Sequence, residues 1–144
     1  MSSAANTVQK IIMKVHTSVY RATGGKVAGR VFKSPVLLLT TTGRKSGRER
    51  TSPLLYLEDG ENLVIVASNG GASKHPAWWL NLKANPEATV ELGDRKLRVR
   101  AEQASSEEKE RLWPKLVAMY GSYEDYQKRT DREIPMVILH PVDS

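Results

Sequence analysis

Apolar and polar residues alternate along several short stretches in the middle of the chain, a pattern typical of β-strands with one buried face. The turn-forming pairs Asp59-Gly60 and Gly93-Asp94 each separate two such stretches, which is typical of hairpins. The first three strands are expected to form a meander. The six predicted strands cover residues 36–42, 51–57, 63–67, 88–92, 96–101 and 136–139.

Apolar residues near the N-terminus recur at the three- and four-residue spacing of an amphipathic helix, which Gly24-Gly25 closes. Docking of this helix on the domain core is the favoured interpretation. A membrane-surface helix is the alternative, because basic residues beside valine and isoleucine also suit an anionic bilayer. The apolar positions are Val8, Ile11, Ile12, Val15 and Val19.

Three further helices are predicted downstream. Pro76 suits the start of a short helix that Asn85-Pro86 ends. The pair Ser105 and Glu108 has the spacing of a capping box for a longer helix, which Pro114 should kink. Ser122, with Asp125 after it, is expected to begin a short last helix.

The order of these elements is helix, three strands, helix, two strands, two helices and a last strand. Short turns between mainly antiparallel strands predict an α+β fold, a small closed barrel of about six strands decorated by helices. A length of 144 residues suits a single domain over residues 1–144. Residues 1–33 form its predicted helix and connector, and residues 34–144 its barrel core.

Charge and composition limit the kinds of ligand and binding site that this protein can have. A formal net charge of +6 favours anionic ligands or surfaces. The absence of cysteine excludes disulfides and thiolate chemistry, and the three histidines lack the spacing of a metal site, so no metal is expected. Apolar runs are far shorter than the roughly 20 residues that span a bilayer, and the N-terminus lacks a signal-peptide layout. A cytoplasmic protein is therefore expected.

The segment GRKSGRE, which begins at Gly43, carries three cations between two predicted strands and is followed directly by Arg50. It is not a phosphate-binding P-loop, because that motif requires glycine where Leu39 stands. Charge alone leaves two interpretations open, an anion-binding hairpin and a solvated basic turn. Downstream aromatic residues wall a cavity for a flat ring or, more commonly at helical spacing, belong to the core. They are Trp78, Trp79, Tyr120, Tyr123 and Tyr126.

Three segments together resemble the deazaflavin-dependent nitroreductase family of actinobacteria, in order from Tyr20 to Val142. They are LLLTTTGRKSGRERTSPLLYL, VIVASNGGASKHPAWWLNLKANP and WPKLVAMYGSYEDYQKRTDREIPMVIL. The resemblance implies the split β-barrel of flavin mononucleotide oxidoreductases. It also implies coenzyme F420, a deazaflavin with a phosphate, a lactyl group and an oligoglutamate tail, as the cofactor.

The resemblance further implies the site residues. Those expected along the anionic tail and beside the cofactor are Arg44, Lys45, Ser46, Arg50, Thr51, Ser52, Pro53, Leu54 and Leu55. Those expected at or near the ring are Val66, Ala67, Ser68, Asn69, Ala77, Trp78, Trp79, Leu80 and Asn81. The tyrosines expected to close over the substrate are Tyr120, Tyr123 and Tyr126. Ser68, Tyr123 or solvent is expected to deliver a proton.

The implied activity is hydride transfer from reduced F420 to a quinone, an enone or another activated alkene, with nitroaromatics as adventitious acceptors. Two positions depart from nitroreductase-like members: Leu55 is followed by Tyr56 where some have tyrosine beside the ring, and Asn69 stands where some have lysine. The alternatives are a non-catalytic F420 carrier and a nucleic-acid-binding module that uses the basic hairpin and the tyrosines. A monomer is expected, with the first helix as the candidate membrane contact.

Overall fold

A computed structural model describes residues 30–31, 34–71 and 74–142 of the chain. The helix predicted near the N-terminus lies outside these residues. The six predicted strands are all present, joined by two short ones of two and three residues. The strands are β1 Arg30–Val31, β2 Ser34–Thr42, β3 Glu49–Leu55, β4 Leu57–Asp59, β5 Asn62–Val66, β6 Glu87–Leu92, β7 Arg95–Gln103 and β8 Met136–Pro141.

All eight strands belong to one antiparallel sheet, in which β2 is followed by β6, β7, β8, β5 and β4. β1 pairs with the start of β2, and β3 also pairs with β2. Strands β3 and β4 therefore lie toward opposite ends of the sheet although only Tyr56 separates them in sequence. The sheet has to curl until these ends meet, which makes it a split barrel.

The predicted meander of the first three strands is wrong in one respect. β3 pairs with β2 alone among the described strands, and pairing with β5 starts only at Leu57, opposite Val64. At the break, the Tyr56 N–H donates to the Pro35 carbonyl at 3.2 Å. The residues predicted as one strand are thus two strands, because the chain crosses from one edge of the curled sheet to the other at Tyr56.

The inner face of the barrel is apolar, as the strand alternation predicts. One helix, α1 (Ala77–Ala84), adds side chains to this interior. Burial of so much apolar surface is the main stabilising term of the fold. The buried side chains of the interior are Leu37, Leu39, Leu63, Ile65, Ala67, Trp78, Trp79, Leu82, Val90, Val99, Val137 and Leu139.

Two helices, α2 (Ser106–Met119) and α3 (Ser122–Lys128), bury a second apolar cluster against the outer face of β5 and β8. The predicted capping box is confirmed, since Ser105 Oγ accepts from the Glu108 N–H at 3.1 Å and Glu108 Oε1 accepts from the Ser105 N–H at 2.9 Å. α2 continues through Pro114.

The last helix, α3, begins at Ser122 as predicted, and Gly121 occupies the N-cap position before it. None of the helices in residues 30–31, 34–71 and 74–142 is long and apolar enough to cross a membrane.

Candidate functional site

The barrel is open along β3, because β3 pairs with β2 alone among the described strands. Ile65 and Val66 extend β5 beyond the residues that pair with β4, and this part of β5 approaches β3. Leu55 packs in the same apolar cluster as Val66, so the two strands meet there and diverge toward the other end of β3. Residues 51–55 are half-buried along this opening. An edge strand offers backbone hydrogen-bonding groups to a ligand.

At the far end of β3 lies the basic hairpin, residues 43–50. The Gly43 N–H donates to the Arg48 carbonyl at 2.7 Å, and the Gly47 N–H donates to the Gly43 carbonyl at 2.8 Å. Gly47 has φ of 71°, a left-handed conformation that favours glycine. This compact turn exposes four cations, Arg44, Lys45, Arg48 and Arg50, beside the single carboxylate of Glu49. The hairpin therefore presents a concentrated positive charge at one end of the opening.

Asn81 of α1 holds the hairpin in place. Its side-chain oxygen accepts from the Arg44 backbone N–H at 3.1 Å, and its amide nitrogen donates to the Thr41 hydroxyl at 3.1 Å. Asn81 is only 4% exposed. Its amide is thus committed to the protein, and it serves the candidate site by fixing the hairpin against α1.

We expect Asn81→Ala to lower the free energy of unfolding by about 2 kcal/mol, because an unsatisfied buried polar group costs about 1–3 kcal/mol. Chemical denaturation measures this loss. Asn85→Ala is the matched control, since Asn85 also accepts a backbone hydrogen bond, from Glu87, but at an exposed position. Equal losses for the two variants would contradict a special role for Asn81.

At the other end of the opening, residues 66–71 form the Ser68 loop. Ser68 is 8% exposed, and Asn69 adopts a left-handed φ of 48° as the first residue of a 3-10 turn, Asn69–Gly71. The Gly71 N–H donates to the Ser68 carbonyl at 2.9 Å, and the Asn69 side chain donates to the Lys74 carbonyl at 3.1 Å. The loop is therefore held by one hydrogen bond within it and by another to Lys74.

Arg132 binds the Ser68 loop from the side. Its guanidinium donates to the Ser68 carbonyl at 2.8 Å and to the Ala67 carbonyl at 3.3 Å. The same group donates to Nδ1 of His75 at 3.1 Å. Since a guanidinium has only donors, His75 must accept through an unprotonated Nδ1. Burial first, and then the charges of Arg132 and Lys83, lower the pKa of His75 below its usual value.

The structure thus gives His75 a structural partner, and it reveals Arg132 as a site residue that the sequence interpretation missed. No local motif marks Arg132, because its partners lie 57 to 65 residues earlier in the chain. Within the segment Asp131-Arg132-Glu133, a half-buried arginine is indistinguishable in sequence from a solvated one.

The third part of the site is the tyrosine cluster, Tyr120, Tyr123 and Tyr126. The hydroxyls of Tyr120 and Tyr126 are 2.9 Å apart, and the Tyr120 and Tyr123 rings pack edge to face with centroids 5.0 Å apart. Tyr123 is only 5% exposed, whereas the other two are half-buried. Burial raises the pKa of Tyr123, and its two tyrosine neighbours add to that shift. The pKa of Tyr126 is raised first by its hydrogen bond to Tyr120.

The tyrosine cluster adjoins both the opening and the Ser68 loop. It packs in the same apolar cluster as Leu55 and Val66. A side chain at Gly71 would come within 2.9 Å of the Tyr126 carbonyl, so only glycine lets the loop approach α3 this closely. The structure therefore brings the predicted tail, ring and substrate segments to one continuous region.

The two tryptophans of α1 differ from the other predicted site residues. Trp78 and Trp79 are buried in the barrel interior, so most of their ring surface packs against protein. Ala77 is exposed and Leu80 half-buried on the same helix. The predicted aromatic residues thus divide into a core pair on α1 and the tyrosine cluster, in which Tyr120 ends α2 and Tyr123 and Tyr126 lie on α3.

Comparison with known proteins assigns this arrangement to a family. The family model described as F420H(2)-dependent quinone reductase matches residues 12–141. The chain belongs to that family. An F420H(2)-dependent quinone reductase of Mycobacterium tuberculosis is 38% identical over 132 residues, which cover 89% of each chain.

Two solved structures are similar to this member of the F420H(2)-dependent quinone reductase family. An F420-H2 dependent reductase aligns with a TM-score of 0.68 and 44% identity, over 74% of this chain and 94% of that chain. A structure described as a domain-swapped dimer aligns with a TM-score of 0.70 and 36% identity, over 96% of this chain and all of that chain. The predictions of an F420-dependent family and of a split-barrel fold are confirmed.

Proposed function

We propose that this protein is an F420H2-dependent oxidoreductase that reduces a quinone, an enone or another activated alkene. One observation carries the proposal. One edge of β3 pairs with no other described strand, and it runs from the exposed cations of the basic hairpin to Leu55, which packs in the same apolar cluster as the tyrosines. Such an opening suits an elongated ligand with an anionic tail and a flat ring, and F420 is a ligand of this kind in a family named for it.

The residues present fit such a cofactor. The hairpin supplies Arg44, Lys45, Ser46 and Arg50 for the phosphate and the glutamates, since charge-assisted hydrogen bonds to oxyanions are the strong ones. The edge strand supplies residues 51–55 beside the middle of the ligand. The Ser68 loop, with Val66, Ala67, Ser68 and Asn69, is the proposed contact of the ring. The exposed start of α1 at Ala77 adjoins that loop, and Asn81 acts through the hairpin.

Reduced F420 supplies a hydride from C5 of its ring when it is bound. The protein must hold an electron-poor acceptor over that carbon and exclude water. In this proposal the half-buried Tyr120 and Tyr126 line the acceptor position. The more deeply buried Tyr123 and Ser68 each direct a hydroxyl toward it. A nitroaromatic compound with the same flat shape is a further acceptor.

The raised pKa of Tyr123 bears on which group supplies the proton that the reduced acceptor takes up. An efficient general acid has a pKa near the working pH, and burial moves Tyr123 away from that range. We therefore propose that solvent supplies the proton and that Tyr123 donates a hydrogen bond to the acceptor oxygen. Ser68 is the second candidate for that hydrogen bond, because it stands on the loop proposed to contact the ring.

The test measures binding of F420 and flavin mononucleotide side by side by fluorescence quenching, followed by oxidation of F420H2 with a panel of quinones and enones. Tighter binding of F420 and turnover with at least one acceptor are expected. Equal or tighter binding of flavin mononucleotide would refute the assignment. Tight F420 binding without turnover would favour the carrier, and an RNA-induced shift that is unaffected by F420 would favour the nucleic-acid module.

The proposal includes a cytoplasmic monomer that takes its quinone from the inner face of the cell membrane. The amphipathic pattern of the N-terminal segment and its basic residues support the membrane contact. Light scattering tests the monomer. Co-sedimentation with anionic vesicles, which should weaken when residues 1–19 are removed, tests the contact. An intact protein that never sediments with such vesicles would contradict it.

A further inference from the structure

Arg132 joins three parts of the site. Its guanidinium contacts the carbonyls of Ala67 and Ser68 and the ring of His75. Its backbone is tied to α3, because the Gln127 side chain donates to the Arg132 carbonyl at 2.9 Å and accepts from the Ile134 N–H at 3.0 Å. The residue is thus anchored on the tyrosine side and reaches the Ser68 loop with its side chain.

These contacts set the direction of the loop amides. In a trans peptide the C=O and N–H bonds point to opposite sides, and the described residues contain no cis peptide bond. Because the Ala67 and Ser68 carbonyls point at Arg132, the amide N–H groups of Ser68 and Asn69 point away from it. Two successive amides directed to one side can bind an electronegative ligand atom.

The backbone at this point also needs support. Asn69 is the one residue other than glycine with positive φ among the described residues. Such conformations cost energy and persist where surrounding contacts impose them, commonly at functional sites. Arg132 supplies such contacts, since its two carbonyl partners immediately precede Asn69.

The same residue connects to the rest of the site through α1. His75 directly precedes Pro76, the N-cap of α1, and Asn81 of that helix holds the Arg44 amide of the basic hairpin. Hydrogen bonds and one helix therefore link the tyrosine cluster, the Ser68 loop and the basic hairpin. Within this series of contacts, Arg132 is the residue whose side chain binds the Ser68 loop.

We propose that Arg132 is the positioning residue for the ring end of the cofactor site: its guanidinium orients the Ser68 and Asn69 amides toward carbonyl oxygens of the deazaflavin ring. This inference rests on the proposed function. It adds a residue to that function, and it assigns ring recognition to backbone amides whose direction a distant side chain controls.

The test separates the ring from the tail. Dissociation constants are measured for F420 and for the ribityl deazaflavin that lacks the phosphate, lactyl and glutamate groups. Arg132→Lys keeps the charge but loses the planar fork of donors. It should weaken both ligands by the same factor, about tenfold. Lys45→Ala with Arg50→Ala should weaken F420 alone.

Arg111→Lys is the matched control. Arg111 makes a two-pronged ion pair with Asp59, with N–O distances of 3.1 and 2.9 Å, and it lies on α2 outside the proposed site. Its change should leave both dissociation constants within about twofold of the wild type. A melting temperature for each variant verifies that it is folded.

A second readout uses the pH. The groups that face His75 and shift its pKa are Arg132 and Lys83. Its pKa is lowered from 6.5, so the folded protein binds fewer protons than the unfolded chain, and stability is lost as pH falls below that value. Protonation removes the acceptor for Arg132, so affinity for the ring fragment should fall in the same direction. His75→Asn places an amide oxygen near the Nδ1 position and does not titrate, so it should abolish this pH dependence.

The outcomes are distinguishable. If the wild type binds neither F420 nor the ring fragment, the proposed function fails. If the wild type binds both and Arg132→Lys leaves ring affinity unchanged, or weakens only the tailed cofactor, this inference alone is overturned. An unchanged pH dependence in His75→Asn would also overturn it, and this variant serves if Arg132→Lys does not fold.

Discussion

Replacement of both Lys45 and Arg50 with alanine is expected to weaken F420 binding by roughly ten- to a hundredfold. Charge-assisted hydrogen bonds contribute about 1.5–3 kcal/mol each, and solvent exposure reduces ion pairs to about 0.2–1 kcal/mol. Both side chains are exposed on the basic hairpin, so the pair should lie between these limits. Each 1.4 kcal/mol corresponds to about tenfold in affinity. A fluorescence titration with F420 measures the loss.

Salt and a charge-matched control make this prediction specific. The difference between wild type and double variant should grow as ionic strength falls, because salt screens exposed charges. Arg95→Ala with Lys96→Ala removes the same charge at the other end of the sheet, where β7 begins after the Gly93-Asp94 turn. This control should leave affinity nearly unchanged. Equal losses in both double variants would mean that net charge, and not the hairpin, attracts the cofactor.

The strands were predictable because each buries one face. Alternation at Leu97, Val99 and Ala101 on β7 matches side chains that pack in or against the barrel interior. The turn at Gly93-Asp94 is equally local, since a tight hairpin needs only the residues within it. Local patterns therefore sufficed to locate the strand segments and the capping box of α2.

Strand pairing was less predictable, and Tyr56 shows why. Leu54 and Tyr56 pack toward the interior while Leu55 and Leu57 pack on the outer face, so the alternation continues without interruption through the break between β3 and β4. The break arises from closure of the barrel, where the Tyr56 N–H finds its acceptor at Pro35. Partners this distant in sequence leave no local pattern.

The candidate site also contains some residues that a local sequence pattern marks and others that it does not. The basic hairpin is visible in sequence because its glycines and cations are adjacent. Asn81 and Arg132 are not, because they bind the backbone N–H of Arg44 and the backbone carbonyl of Ser68, groups that carry no mark of residue type in the sequence. Family resemblance identified Asn81 as a site position, and the structure explains it through the hairpin. Arg132 emerged only from the three-dimensional contacts.

The tyrosine cluster provides the largest expected effect on turnover. Tyr123→Phe keeps the ring that packs edge to face against Tyr120 but deletes the hydroxyl. If that hydroxyl donates to the acceptor, the rate at saturating F420H2 should fall by about tenfold, the value of one hydrogen bond of about 1.4 kcal/mol. F420 affinity should stay within about twofold. Steady-state rates with a quinone or cyclohexenone, paired with F420 dissociation constants, measure both quantities.

Two comparisons decide which hydroxyl acts. Tyr126→Phe breaks the 2.9 Å hydrogen bond between Tyr120 and Tyr126 and serves as the matched variant on the same helix. Because burial raises the pKa of Tyr123, its hydroxyl stays protonated, and the wild-type rate should show no titration from it between about pH 6 and 9. A rate lost in Tyr126→Phe but intact in Tyr123→Phe would transfer the role to the half-buried pair. Loss of F420 affinity in Tyr123→Phe, with its rate per complex unchanged, would instead place Tyr123 against the cofactor and refute its contact with the acceptor.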